Sequence, residues 1–144
     1  MRELILTFSN EFIWPARVYY EDTDAGGVVY HANYLRFMER ARTEWLRQLG
    51  FEQDRLAKDF GIIFVAGHID ISYRKPGRFN DELFVSTSIH KLGNASIVFD
   101  QIIWRTGADN TRELLTTSHV KVVCVDTGTF RSTPIPIAIK GLLQ

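Results

Sequence analysis

The residue types that could do chemistry are concentrated in one segment of the chain, residues 19–34. The segment holds carboxylates, a histidine and adjacent glycines, in the order Tyr19-Tyr20-Glu21-Asp22-Thr23-Asp24-Ala25-Gly26-Gly27-Val28-Val29-Tyr30-His31-Ala32-Asn33-Tyr34. Adjacent glycines permit close approach of a ligand to the backbone. A helix start, predicted at the end of the segment, offers unpaired N–H groups and a positive dipole end. The combination is typical of attack on a carbonyl, whose oxygen would point at the helix start while its carbon faces a carboxylate.

The same residues are equally typical of a turn and a helix cap that bind nothing. Asp and Gly between a strand and a helix usually form a turn. Glu21 and Asp22 are then solvated loop charges, and a lone His31 is a structural hydrogen-bonding side chain. Asn33 is the natural N-cap by residue type. The residues by themselves leave both interpretations open.

Two helices are predicted to follow this segment. No Gly or Pro interrupts residues 33–49, and apolar residues recur there at three-to-four spacing until Gly50, which predicts a long helix. A second, short helix is predicted over residues 53–60, up to Gly61. The tail, residues 134–143, is predicted to be a last short helix or irregular.

Strands account for most of the remaining chain. Alternation predicts a strand over residues 11–21, which Pro15 limits to an edge or a strand start. After Gly61 the chain is predicted to change to strands, with alternation over residues 68–73. Further strands are predicted over residues 82–92, 95–106 and 113–126, with Gly-containing hairpin connections between them. One long helix on one face of a largely antiparallel sheet of about five strands satisfies the rule that elements pack in layers. The predicted class is α+β.

Composition narrows the kinds of protein that this chain can be. Its 144 residues and 16.6 kDa predict a single domain over residues 1–144. Seventeen basic and 17 acidic residues give zero formal charge, which argues against a nucleic-acid surface. Cys124 is the one cysteine, so an intramolecular disulfide is excluded. No apolar run approaches the roughly 18 residues of a membrane span, and we expect a cytoplasmic protein.

Competing motifs are weaker. Asp126-Thr127-Gly128-Thr129 after an apolar strand resembles the motif of a dimeric aspartic protease, although an Asp-Gly turn explains it more simply. Asp22 and Asp24 could be drawn as a metal site, but no matching acidic set follows. Cys124 is interpreted as a buried strand residue and not as a nucleophile.

Three histidines outside residues 19–34 are the other side chains that could bind a metal. His68, His90 and His119 lie in three different predicted strands, and no pair has ligand-like spacing. Single core or surface histidines explain them better, so no metal is expected.

A family resemblance shifts the balance for residues 19–34. Tyr20 to Tyr34, followed by Phe37 and Glu39-Arg40-Ala41-Arg42, resembles the signature of hotdog-fold acyl-CoA thioesterases. Within them it is most similar to the branch associated with the Tol-Pal envelope system, a relative of 4-hydroxybenzoyl-CoA thioesterase. The likeness covers most of the chain. It implies a hotdog fold, in which a curved antiparallel sheet of about five strands wraps one long central helix.

The resemblance also implies roles for particular residues. Asp24 would be the catalytic carboxylate, as base or nucleophile. The backbone N–H of His31 would polarise the thioester carbonyl at the helix start, and its side chain could assist. Tyr20 would help to position substrate or water. Glu39, two helical turns past His31, is the second choice to Asp24.

Substrate and partners follow from the same resemblance. Lys91 and Ser96 would hold the nucleotide of an acyl-CoA, and acyl carrier protein is the other carrier considered. No cofactor is needed. The family builds its pocket between subunits, which implies a dimer or a dimer of dimers. The alternatives are a non-catalytic acyl-CoA or acyl-carrier-protein binding module and, more remotely, the protease that uses Asp126.

Overall fold

The computed structural model describes residues 11–144, which form a five-stranded antiparallel sheet and three helices. The strands are β1 Phe12–Arg17, β2 Ile62–Tyr73, β3 Glu82–Leu92, β4 Ser96–Thr106 and β5 Arg112–Asp126. Their order in the sheet is β1-β3-β4-β5-β2. The helices are α1 Asn33–Gln48, α2 Gln53–Phe60 and α3 Ile137–Leu143, and short 3-10 turns occupy Tyr20–Asp22 and Ala108–Asn110.

The predicted helices are confirmed, and α2 ends as expected at Gly61, which has a φ of 68°. The predicted change to strands after Gly61 is confirmed, and the alternating residues 68–73 form the second half of β2, which begins at Ile62. Its first residues are continuously apolar, and a bulge between Ala66 and His68 then shifts the alternation by one residue. An alternating pattern therefore appears only in the second half of the strand.

The core lies between α1 and one face of the sheet. The helix buries Tyr34, Phe37, Met38, Ala41, Trp45 and Leu46. The sheet supplies Leu83, Val85, Ile97, Phe99, Ile103, Val120 and Val122. Truncation of a fully buried ring such as Phe37 to alanine typically costs about 3–5 kcal/mol, so this contact fixes α1 on the sheet.

A buried amide adds direction to this apolar contact. Gln101 in β4 has no exposed surface. Its Nε2 donates to the Met38 carbonyl at 3.0 Å and to Thr87 Oγ1 at 2.9 Å, while its Oε1 accepts from Arg42 at 2.8 Å. Two of these three partners belong to α1, so the sheet holds the helix through specific hydrogen bonds as well as through packing.

The sheet has two ends, a loop end and a hairpin end. At the loop end, β2 finishes, β3 begins and the chain enters α1; at the hairpin end, the residues between β3 and β4 turn, and β5 finishes at Asp126. Strand β2 is an edge strand of 12 residues, whereas the other edge, β1, has six and contains Pro15. None of the helices found in residues 11–144 is long and apolar enough to cross a membrane.

Candidate active site

The 19–31 loop folds back on itself before it enters α1. Backbone hydrogen bonds join Asp24 N to Val28 O at 2.9 Å and Tyr30 N to Asp22 O at 2.9 Å. Gly27 occupies the turn with a φ of 81°, a conformation that side chains other than glycine rarely adopt. The loop is therefore a short hairpin with Asp24 beside its tip.

Asp22 anchors the base of this hairpin, so its interpretation as a solvated loop charge is wrong. The residue is 6% exposed. Its Oδ1 accepts from Asn33 Nδ2 at 2.7 Å, and its Oδ2 accepts from the Tyr19 N–H at 2.8 Å. The neighbouring Glu21 is exposed as predicted. A buried carboxylate with two donors joins the strand exit to the helix entrance.

Asn33 is consequently not the N-cap. Ala32 holds that position, and Asn33 is the first residue of α1 with its amide turned to Asp22. Ala32 provides no side-chain cap. Among the hydrogen bonds found within residues 11–144, none uses the N–H of His31 or of Ala32. The helix start thus presents free donors and the positive end of its dipole.

His31 lies directly before this helix start and is exposed. Its ring packs on Tyr30 at 4.6 Å between centroids. Its carbonyl accepts a 2.9 Å hydrogen bond from the hydroxyl of Tyr73, the last residue of β2. This contact to Tyr73 holds the peptide of His31 in place, and the sequence pattern did not predict it.

Asp24 keeps most of its hydrogen-bonding capacity free. It is exposed, and its Oδ1 accepts from the Gly26 N–H at 2.8 Å. Within the described residues, Oδ2 accepts no hydrogen bond. One carboxylate oxygen is therefore oriented by the loop, while the other is available to a proton or an electrophile.

Tyr20 lies on the outside of the same loop. The residue is 76% exposed, and its ring stacks on Phe79, with centroids 3.8 Å apart and planes 10° from parallel. Phe79 belongs to the connection between β2 and β3, and sequence reasoning did not select it. The stack gives Tyr20 one fixed side while its other face stays open.

The connection between β2 and β3 clamps the loop from below. Gly77 O accepts from Val29 N at 2.8 Å, and Gly77 N donates to the hydroxyl of Tyr34 at 2.9 Å. Burial raises the pKa of the Tyr34 phenol. A β-carbon at Gly77 would lie 3.1 Å from a methyl of Val29, so a larger residue here would require Val29 to shift by a few tenths of an ångström.

Lys91 and Ser96 lie far from this loop within one chain. Both belong to the hairpin end, and Lys91 follows Glu82 by nine strand residues, about 30 Å of extended chain. The structure therefore does not bring them to Asp24 in the same subunit.

Glu39 is exposed on α1 and lines a groove between that helix and β2. The groove encloses about 260 Å³. Its other lining residues are mostly apolar and include Trp45, Phe64, Ile97 and Phe99. Asp24 and His31 do not line it. Glu39 is thus associated with a groove beside the helix and not with the 19–31 loop.

Asp126 serves a turn, as its simpler interpretation predicted. Its Oδ1 accepts from the N–H groups of Gly128 at 2.8 Å and Thr129 at 2.9 Å. The backbone hydrogen bond from Thr129, and after it the one from Gly128, lowers the pKa of the Asp126 carboxyl. A carboxylate committed to its own turn does not favour the protease interpretation.

His90 and His119 are exposed, as expected of surface histidines, but they are not single residues. His90 and His119 stack with ring centroids 4.6 Å apart. The reason is cross-strand pairing, which spacing along the chain cannot reveal. Cys124 is buried as predicted, and desolvation raises the pKa of its thiol to about 11, so it is not a thiolate nucleophile.

Fold and site together define a class of protein. An antiparallel sheet in the order β1-β3-β4-β5-β2, packed on one long helix that is entered from a carboxylate loop, is the arrangement of the hotdog fold of thioesterases. A model of the thioesterase superfamily matches residues 26–110. The chain belongs to this superfamily, and the predicted fold is confirmed.

Similarity to individual proteins is extensive. The acyl-CoA thioesterase YbgC of Haemophilus influenzae is 45% identical over 132 residues, which are 92% of this chain and 93% of that protein. The crystal structure of a probable thioesterase from Bartonella henselae has a TM-score of 0.80 at 33% identity and covers 88% of this chain and 99% of its own. The 4-hydroxybenzoyl-CoA thioesterase of Pseudomonas sp. strain CBS-3 shares the fold, with a TM-score of 0.81, 21% identity and coverage of 90% and 97%. The Tol-Pal association stays a prediction.

Proposed function

We propose that the chain hydrolyses the thioester of an acyl-CoA to a free acid and a thiol. The observation that carries this proposal is the free carboxylate oxygen of Asp24 on a hairpin that runs directly into the uncapped start of α1. A carbonyl oxygen at the helix start would meet unpaired N–H groups, and a single such donor can be worth about 100- to 1000-fold in rate. The names of the relatives support acyl-CoA as the substrate class.

The reaction needs few groups because the leaving group is a thiolate. A thiol has a pKa of about 8.5, so the sulfur departs without a strong acid. In this proposal the N–H of His31 polarises the carbonyl, and Tyr20 positions substrate or water. Asp24 either removes a proton from the attacking water or attacks the carbonyl to form a mixed anhydride that water then opens.

A labelled-water experiment identifies attack by Asp24 when the label is recovered in the protein. One turnover in H₂¹⁸O with enzyme in excess places the label in the product acid if Asp24 acts as base. If Asp24 attacks, water opening the anhydride at the aspartyl carbonyl leaves the label in the protein, which mass spectrometry of the peptide that contains Asp24 detects.

A second copy of the chain completes the proposed site. Strand β2 is a long edge without proline, and an unpaired edge of this kind is a template for pairing. Antiparallel pairing of two β2 edges would bring the hairpin end of one copy toward the loop end of the other. Lys91 and Ser96 of the second copy would then approach the Asp24 loop and could hold the anionic end of the substrate.

Complementation tests this arrangement. The variants Asp24→Asn and Lys91→Ala/Ser96→Ala are each expected to lose activity, and chains co-refolded from both should regain a fraction of it. Only a mixed dimer holds one site with both Asp24 and the Lys91–Ser96 pair. If the mixture is no more active than the sum of the two variants, the shared site is contradicted. Thiol release by the wild-type chain, which tests the function itself, does not depend on that result.

The direct test of the function is thiol release from a panel of short, long and aromatic acyl-CoAs and from acyl carrier protein loaded with the same groups. We expect release from at least one acyl-CoA and its loss in Asp24→Asn. Binding without release by the wild-type protein would favour the acyl-binding module instead. A cytoplasmic setting is also proposed, since a lone buried Cys124 is typical of reducing compartments.

A further inference from the structure

His90, Asp100 and His119 form a cluster on the sheet face that points away from α1. Asp100 lies between the buried residues Phe99 and Gln101, and so its side chain is on the opposite face from theirs. His119 Nε2 is 2.9 Å from Asp100 Oδ1, and His90 Nδ1 is 3.8 Å from Asp100 Oδ2. The three donor atoms all lie within 4.8 Å of one another.

Strand pairing explains why three distant residues meet here. His119 in β5 is directly opposite Asp100 in β4. On the other side, Ser88 of β3 pairs with Asp100, and a bulge between Ile89 and Lys91 turns His90 toward the same cluster. Three adjacent strands thus each contribute one side chain, and the cluster is separate from the 19–31 loop.

We propose that this cluster binds one divalent transition-metal ion of the Zn²⁺ type. Imidazole nitrogens and a carboxylate oxygen are the ligands that Zn²⁺ takes, at about 2.0–2.2 Å. Donors on a tetrahedral ion lie roughly 3.3 Å apart, which follows from that bond length. The distances of 2.9 Å and 3.8 Å from the two histidine nitrogens to the Asp100 oxygens lie on either side of this value. Small side-chain rotations would therefore bring the donors to one ion.

The surroundings of the cluster are compatible with a cation. The three side chains are 44–54% exposed, so an ion can enter from solvent and keep water as its fourth ligand. Asp70 in β2 is directly opposite His119 and adds a second carboxylate on this face. Lys121 lies on the same face, two residues further along β5, and its positive charge disfavours a cation there.

Calorimetric titration of untagged, EDTA-treated protein with ZnCl₂ tests the proposal. We expect saturable binding of one Zn²⁺ per chain. His90→Ala and His119→Ala should each weaken it by about 10-fold or more, since each removes one ligand. Asp100→Asn, which keeps the size of the side chain, should weaken it as well. The matched control is His68→Ala, which changes an exposed histidine of the same sheet and should leave the titration unchanged.

Cobalt substitution gives a second readout. Bound Co²⁺ should show visible absorption of a nitrogen- and oxygen-ligated ion without sulfur charge-transfer bands, which would indicate Cys124 instead. Absence of saturable Zn²⁺ binding by the wild-type protein would overturn the proposal. Unchanged binding by the double variant His90→Ala/His119→Ala, verified as folded by circular dichroism, would do the same.

Discussion

Two turns at opposite ends of the sheet share the same local chemistry. In each, an aspartate Oδ1 accepts the N–H of a glycine two residues later at 2.8 Å: Asp24 with Gly26 and Asp126 with Gly128. A β-carbon on Gly26 would lie 3.3 Å from its aspartate oxygen, and one on Gly128 would lie 3.2 Å from its own. By this local geometry the two turns are nearly interchangeable.

Their surroundings separate them. Asp126 receives two further hydrogen bonds from Thr129, through its N–H at 2.9 Å and its hydroxyl at 3.4 Å. Asp24 has a single donor and belongs to the loop that leads through His31 into α1. An Asp-x-Gly sequence therefore does not by itself identify a catalytic group. The number of donors committed to the carboxylate and the nearby helix start are the features that favour Asp24 in the proposed function.

The largest expected effect comes from neutralising the two aspartates. Asp24→Asn should lower kcat for thiol release by about 100-fold or more, because it removes the proposed base or nucleophile. Asp126→Asn is the matched control and should leave kcat near the wild-type value. Comparable losses in the two variants, with unchanged circular dichroism, would contradict the distinction between the turns.

The anchor beneath Asp24 should affect stability more than the turn does. Asp22→Asn leaves a donor where Asn33 or Tyr19 needs an acceptor, and a buried unsatisfied group costs about 1–3 kcal/mol. Urea unfolding measures the change in the free energy of unfolding. Glu21→Gln, at the exposed neighbour, is the control and should stay within about 0.5 kcal/mol of the wild type; an equal loss there would show that Asp22 is not an anchor.

A methyl group on either glycine is a smaller perturbation. Gly26→Ala should displace the Asp24 carboxylate by a few tenths of an ångström and lower kcat by about 10-fold, since misplacement of a reacting group is costly. Gly128→Ala makes the same contact with Asp126 and should leave kcat unchanged. Steady-state thiol release by both variants measures the difference. A loss confined to Gly128→Ala would favour Asp126 over Asp24 as the catalytic carboxylate.

The smallest effect is on acid stability. The folded-state pKa of Asp126 lies below its ordinary value, so its contribution is present above the unfolded pKa and is lost as the pH falls through the folded pKa. The free energy of unfolding of Asp126→Asn should therefore fall less steeply with acidification below about pH 4 than that of the wild type. Parallel pH profiles for the two proteins would refute this.

The elements were largely predictable because their signals are local. Helix α1 and helix α2 follow from uninterrupted apolar spacing and a terminal glycine, and these depend on neighbours within one or two turns. The first half of β2 shows no alternation, because its residues are continuously apolar and a bulge precedes His68. Bulges are set by pairing with another strand, which the sequence of one strand does not record.

The residues of the candidate site stay a prediction, and the contacts that support them could not be predicted from the sequence. The family resemblance selected Asp24 and His31. The buried state of Asp22, the Tyr73 hydroxyl on the His31 carbonyl and the Tyr20–Phe79 stack depend on contacts between distant segments. The meeting of histidines from β3 and β5 has the same origin.

The buried amide of Gln101 has a consequence for divergence among relatives. Apolar core residues can be exchanged together if their total volume is kept, but Gln101 must satisfy Arg42, Thr87 and the Met38 carbonyl with one orientation. A change at Gln101 alone leaves these partners inside the protein without their hydrogen bonds. We therefore expect Gln101, Arg42 and Thr87 to change as a set in related chains, while the apolar positions around them vary independently.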